Sequence, residues 1–204
     1  MKNKIKLGGQ NNREIYLVRH AERMDFNEKK EWDSEWPKKA ASLGLEEKDA
    51  PLTEKGYSQA KKAAEAINKN VKTIYTSPFL RCVQTAEAIS EKLDCDIIRT
   101  GDLTEWMNPE WFGVKHYDFF KDNHLSPYPP VFVPGLPKIP ESWLETCKRS
   151  EAVIDNIRSR DDDFFPVCLV THGGFIHHVV ETLNSVGSGL ISSIILFSIL
   201  SIKF

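Results

Sequence analysis

Apolar positions along this chain follow two rhythms that take turns. Short β-branched runs, "EIYLV", "VKTIYTS", "CDIIRT" and "FPVCLVTH", read as strands. Between them lie longer segments of helical period. "LTEKGYSQAKKAAEAINKN" has Thr53 as a plausible N-cap and Tyr57, Ala60, Ala64 and Ile67 on one face. "PFLRCVQTAEAISEKL" has Pro78 near its first turn; further helices are read over "ESWLETCKRSEAVIDNIRSR" and from about Gly174 through "FIHHVVETLN". Alternating strands and helices predict an α/β fold, a three-layer α/β/α arrangement whose mostly parallel central sheet is covered on both faces.

Two segments break the alternation. Residues 26–50 are charged and hold Trp32, Trp36 and Pro37; residues 108–140 carry prolines at 109, 127, 129, 130, 134, 137 and 140, so little regular structure is expected there. Long insertions of this kind in a compact domain are often lids or substrate walls, and the aromatics Trp106, Trp111, Phe112, Tyr117, Phe119 and Phe120 could line a pocket or simply pack the loop down. The apolar segment 189–204 is short for a membrane span and carries serines, which favours a strand or strand pair over a tail anchor.

Composition narrows the setting. With 204 residues the chain suits one domain, 1–204, with a core over about 14–184. A net charge of -2 gives no global attraction to nucleic acid or to an anionic membrane. The start lacks an apolar core of signal-peptide length, and the cysteines, Cys82, Cys95, Cys147 and Cys168, form no C-x-x-C pair. A cytoplasmic protein with reduced thiols is expected.

Ligands of open parallel sheets bind beyond the carboxyl ends of the strands. There the first strand ends "LVRH" at His20 and the late one "LVTH" at His172, matched points on two strands. Arg81, early in the helix after "TIYTS", would aim at the same rim as Arg19 and Arg23. Arginine forks suit phosphate oxygens, although Arg23 has Glu22 and Asp25 at hand as ordinary partners. Neutral imidazole can attack phosphorus while cations hold the equatorial oxygens, so a phosphoryl-transfer site with one histidine as nucleophile is the reading of these residues. Glu105 is the candidate proton donor, its pKa expected to rise by burial near Trp106. No P-loop occurs, and Ala88 and Gly174 stand where a cysteine phosphatase would need arginine after Cys82 or Cys168. "VGSGLIS" carries no weight as a dinucleotide loop, and His172, His177 and His178 fit no metal spacing, the last two pointing to different helix faces.

Taken together and in order, "LVRHAER", "PLTEKGYSQA", "TSPFLRCVQTA", "LTEW" and "LVTHGG" resemble the histidine phosphatase superfamily, the phosphoglycerate mutase-like fold, over about 14–184. Within it "RHAERMD", "SPFLRCVQTA" and "TEWM" are most similar to the phosphatase domain of ubiquitin-associated and SH3-domain-containing proteins and to insect phosphatases of ecdysteroid phosphates. The resemblance implies that the segment 108–140 caps the active site, that His20 becomes phosphohistidine, that Glu105 is acid and then base, and that Arg19, Arg23, Arg81 and His172 bind the phosphoryl group. It implies no cofactor and no metal. The substrate would be a phosphorylated small molecule or a phosphotyrosine protein; homodimerisation stays open. Ala21 stands where glycine is usual, and in a left-handed backbone its methyl would cost about 1–2 kcal/mol. The alternatives are a mutase acting on phosphoglycerate and an inactive scaffold that binds phospho-ligands or dimerises.

Overall fold

Strand β1 (Glu14–Arg19) sends Ile15 and Leu17 into the core on one face of the sheet and Tyr16 and Val18 into the core on the other, the two-residue period of a strand covered on both sides. The computed structural model describes residues 13–26, 31–135, 137–185, 191–195 and 199–203. Residues 1–12, read above as carrying no leader, the glycines of "VGSGLIS" and parts of the apolar tail lie outside them.

After β1 come α1 (Trp36–Ser42), α2 (Glu54–Ala63), β2 (Thr73–Thr76), α3 (Leu80–Leu93), β3 (Asp96–Arg99), α4 (Pro109–Phe112) and α5 (Tyr117–Phe120). Then follow α6 (Trp143–Arg158), β4 (Val167–Thr171), α7 (Gly173–Ser185), β5 (Ile191–Ile195) and β6 (Ile199–Lys203). The sheet order is β3-β2-β4-β1-β6-β5. The first four of these are parallel neighbours, and β6 and β5 add an antiparallel pair beside β1. The apolar tail is therefore a strand pair, and no helix among the described residues is long and apolar enough to cross a membrane.

One core layer joins Ile15, Leu17 and Leu169 to Val153, Ile157, Phe175 and Val179 of α6 and α7; the other joins Val18, Ile74 and Val170 to Cys82, Ala86 and Ile89 of α3 and to the segment after α2. Each such aliphatic side chain contributes roughly 1.5–3 kcal/mol by leaving water. Thr53 caps α2, its hydroxyl accepting the Gly56 N–H at 2.9 Å. The helix is shorter than its pattern suggests, passing into a 3-10 turn at Ala64–Ala66, and Tyr57 stays at the exposed edge of the face that Ala60, Ala64 and Ile67 bury.

The segment 108–140 holds more helix than its prolines promised. The span between Pro109 and Pro127 is free of them, and α4, a 3-10 turn, α5 and a π turn at Lys121–Leu125 fit there. Phe112, Tyr117 and Phe120 pack with Phe79 and Met107 into a separate small core. In the first insertion Trp36 is wholly buried against Ala40 and Ala50.

Candidate active site

Parallel pairing sets Arg19 opposite Thr171, so the residues that leave the two strands, His20 and His172, emerge side by side. The His20 N–H donates to the Thr171 carbonyl at 3.0 Å, and the two imidazole centroids lie 5.4 Å apart. A carbonyl only accepts, so the 2.9 Å contact of His20 Nδ1 with Ala21 O places a proton on Nδ1 and leaves Nε2 with its lone pair. Burial first, then Arg81, His172 and Arg23, push the His20 pKa well below the usual imidazole range. The ring is neutral at pH 7.

Ala21 adds no strain. Its φ is not positive, since Asp94 alone among the described non-glycine residues has that conformation. Its methyl packs with Leu52, Ala60 and Ala88, and its N–H donates to Thr85 Oγ1.

His172 is fully buried. Arginine only donates, so Nδ1 accepts from Arg81 Nη2 at 3.2 Å and Nε2 donates to the Ser77 hydroxyl at 2.8 Å. Burial and Arg81 lower its pKa to about 4, against the opposing pull of Glu105. Arg81, in the first turn of α3, is 1 % exposed, and its Nε and Nη1 have no hydrogen-bond partner among the described residues. Two carboxylates flank it beyond hydrogen-bond reach, Glu105 at 3.7 Å and Asp49 at 4.0 Å. Asp49 is occupied elsewhere: it accepts the Leu80 N–H at 2.8 Å, capping α3 from the first insertion, and His124 of the second insertion at 2.8 Å.

Glu105 departs from expectation. Burial would raise its pKa, but His172, Arg81 and the Trp106 N–H overcome that and hold it down at about 2. His172 first and Arg81 after it decide the direction, and Trp106 contributes its backbone rather than an apolar wall. Arg23 has the partner foreseen for it, Asp25, with Nε 2.6 Å from Oδ1. Arg19 is exposed at the strand end and has no ion pair among the described residues.

Arg19, Arg23, Arg81 and Glu105 line one cavity of about 660 Å³ with Gly173 and Gly174. A side chain at Gly173 would begin 3.3 Å from Arg19 Nε and one at Gly174 3.6 Å from Glu105 Oε1, so both glycines keep the floor open where α7 starts. The walls are aromatic: Phe26 and Trp32 from the first insertion, Trp111 and Phe112 from the second. Lys48 lies over the Trp32 ring at 4.3 Å. Of the aromatics singled out in the sequence, Tyr117, Phe119 and Phe120 pack the insertion, while Trp106 lies between Trp111 and Trp143 with its ring steeply inclined to both. Ser77, Asp49 and Lys48 escaped the sequence reading because no spacing marks them. His177 and His178 face Glu181 and Glu151, away from this cluster.

His20, Glu105 and His172 each offer one ligand atom within 4.8 Å of the others. Their chemistry does not suit a cation. His172 Nδ1 already accepts from Arg81, whose permanent charge stands beside Glu105. The donor set fits an anion.

The profile of the histidine phosphatase superfamily (branch 1) matches residues 15–197, and the chain belongs to that family. It is 31 % identical over 179 residues to a Hydrogenobacter thermophilus protein named as a phosphoserine phosphatase, covering 85 % of this chain and 79 % of that one. It is 29 % identical to a protein of Arthroderma benhamiae named as a probable phosphoglycerate mutase, covering 79 % of this chain and 53 % of the relative. The mouse ubiquitin-associated and SH3 domain-containing protein B shares 34 % over 109 residues, 43 % of this chain and 17 % of the relative. Among solved structures, the Bombyx mori ecdysone phosphate phosphatase with tungstate superposes with a TM-score of 0.58 at 22 % identity, covering 90 % of this chain and 82 % of that one. That likeness establishes the phosphoglycerate mutase-like fold.

Proposed function

We propose that the protein hydrolyses phosphomonoesters through a phosphohistidine on His20. One observation carries this reading: the buried Arg81 guanidinium keeps Nε and Nη1 unpartnered next to a neutral histidine whose Nε2 is a free nucleophile. Unpartnered buried donors are costly, by about 1–3 kcal/mol each, unless an anion is their purpose.

In the first step His20 Nε2 attacks phosphorus, the P–O ester bond breaks, and its electron pair takes a proton from Glu105. Arg19, Arg23 and Arg81 hold the phosphoryl oxygens, where negative charge accumulates, and His172, whose Nδ1 accepts from Arg81, orients that guanidinium. Glu105, ionised on its own, gains that proton with the substrate, because phosphoryl oxygens beside it favour its neutral form. In the second step water attacks phosphorus, Glu105 takes the water's proton, and the N–P electron pair returns to His20. Hydrolysis is preferred over a mutase reaction because the wall of Phe26, Trp32, Trp111 and Phe112 is aromatic, with Lys48 its one cation among the described residues, where a second phosphate or a carboxylate would call for several.

The test is trapping. Radiolabelled phosphate from a phosphomonoester should become attached to the wild type in an acid-labile form and not to His20→Ala. Turnover by His20→Ala at the wild-type rate would overturn the mechanism.

A further inference from the structure

Glu105 sits on a stretch with no ladder to hold it. A 3-10 turn at Gly101–Leu103 runs into extended chain, and the next helix begins only at Pro109. Precise placement of a proton donor needs another source of rigidity.

It comes from α6. Arg149, buried on that helix, donates Nη1 to the carbonyls of Asp102 at 2.8 Å and Thr104 at 3.1 Å, and Nη2 to the carbonyl of Glu105 itself at 3.5 Å. Its remaining two N–H groups grip Glu141 in a fork, Nε to Oε1 at 2.9 Å and Nη2 to Oε2 at 2.6 Å. All five donors are used, in contrast to Arg81. Glu141, also buried, accepts the Thr146 hydroxyl at 2.8 Å. Its backbone reaches the same stretch: its carbonyl accepts the Trp106 indole N–H at 2.8 Å and its N–H donates to the Met107 carbonyl at 3.1 Å. Residues 102, 104, 105, 106 and 107 are thus tied to one ion pair. Neither Arg149 nor Glu141 lines the cavity.

We propose that Arg149 and Glu141 are positioning residues that aim the Glu105 carboxyl at the leaving oxygen of the substrate. This rests on the reading of Glu105 as the proton donor. A planar five-donor fork can hold three carbonyls and a carboxylate at once, which an ammonium group cannot.

The leaving group separates this role from a merely structural one. An alkyl alcohol must be protonated as the P–O bond breaks, whereas p-nitrophenolate departs as a stable anion. Arg149→Lys, which keeps the charge opposite Glu141, should lower kcat/KM, which reports phosphorylation and not the dephosphorylation that both substrates share, by about 10–100-fold for glycerol phosphate and by no more than about threefold for p-nitrophenyl phosphate. Glu141→Gln, which keeps the side-chain volume, should show the same selective loss and serves if the lysine variant does not fold. Glu105→Gln is the control, with a selective loss on the order of 10²–10⁴. If Glu105→Gln is selective but the Arg149 and Glu141 variants slow both substrates equally, or neither, the positioning role is overturned. If Glu105→Gln itself lowers kcat/KM equally for both, the reading of Glu105 as the proton donor falls, and the inference with it.

Discussion

Gly56 occupies the third position of α2, against the backbone that follows β1. A Cβ there would lie 2.2 Å from the Glu22 carbonyl oxygen, and such contacts are essentially never shorter than 3.0 Å. Gly56→Ala must therefore part helix and carbonyl by ~0.8 Å. The same carbonyl accepts the Thr53 N–H at 3.0 Å, a bond that this movement breaks. Losing it costs about 0.5–1.5 kcal/mol and the overpacking about 1–3 kcal/mol. The better helix propensity of alanine returns about 1 kcal/mol. The net loss is about 0.5–3.5 kcal/mol, which for a chain of this size lowers Tm by roughly 1–14 °C. Glu22 stands between His20 and Arg23, so the displacement also moves the proposed nucleophile relative to its proposed clamp, a misplacement that should cost on the order of 10² in kcat/KM. Thermal unfolding and p-nitrophenyl phosphate kinetics measure both. A variant with Tm within about 1 °C and kcat/KM within about twofold of wild type would refute the idea that this contact holds the segment in place.

Arg81→Met should reduce kcat by about 10²–10³ and weaken inhibition by inorganic phosphate, as loss of a transition-state donor does; unchanged phosphate inhibition would contradict its place in the clamp. His172 is neutral when folded, its pKa lowered from 6.5 to about 4 by burial and Arg81 against the pull of Glu105. Below pH 6.5 the unfolded chain takes up this proton first, so stability is intact above that pH and falls by about 3 kcal/mol as the pH drops to 4. Urea midpoints across that range should show the slope, and His172→Asn should flatten it. Trp111, 57 % exposed on the cavity wall, contributes uniform binding: Trp111→Ala should raise KM for a bulky aryl phosphate about tenfold with kcat unchanged, and an unaltered KM would remove it from the substrate wall.

The sheet and the rim of the site were legible because both rest on local rules. Period-two burial and the placement of chemistry at strand ends locate His20 and His172 without any knowledge of the partner strand, and the observed register sets them side by side. Arg81 followed from its distance to a strand end in the same way. What could not be read depends on distant segments meeting. Arg149 and Glu141 look like the ordinary charges of an amphipathic helix until the 102–107 stretch folds over them. Asp49 in a charged loop and His124 in an aromatic one gave no sign of facing each other across Phe79. The direction of the Glu105 pKa was misjudged for a related reason, since an apolar neighbour was visible in sequence and the approach of His172 and of the Arg81 guanidinium was not.

Strand β1 lies inside the sheet, and both its neighbours come late in the chain: Ile15 pairs with Val167 on one side and Ile202 on the other. At a synthesis rate of roughly 5–20 residues per second, the ribosome needs roughly 8–30 s after making Ile15 to deliver its first partner. During that time an apolar strand meant for burial on both faces has neither edge covered. Closing so long a loop is slow, and an open strand of this kind is what chaperones bind. The rim that carries His20 and His172 therefore assembles as one of the final events of folding, and a nascent chain that stops short of His172 holds His20 without the strand that sets its place.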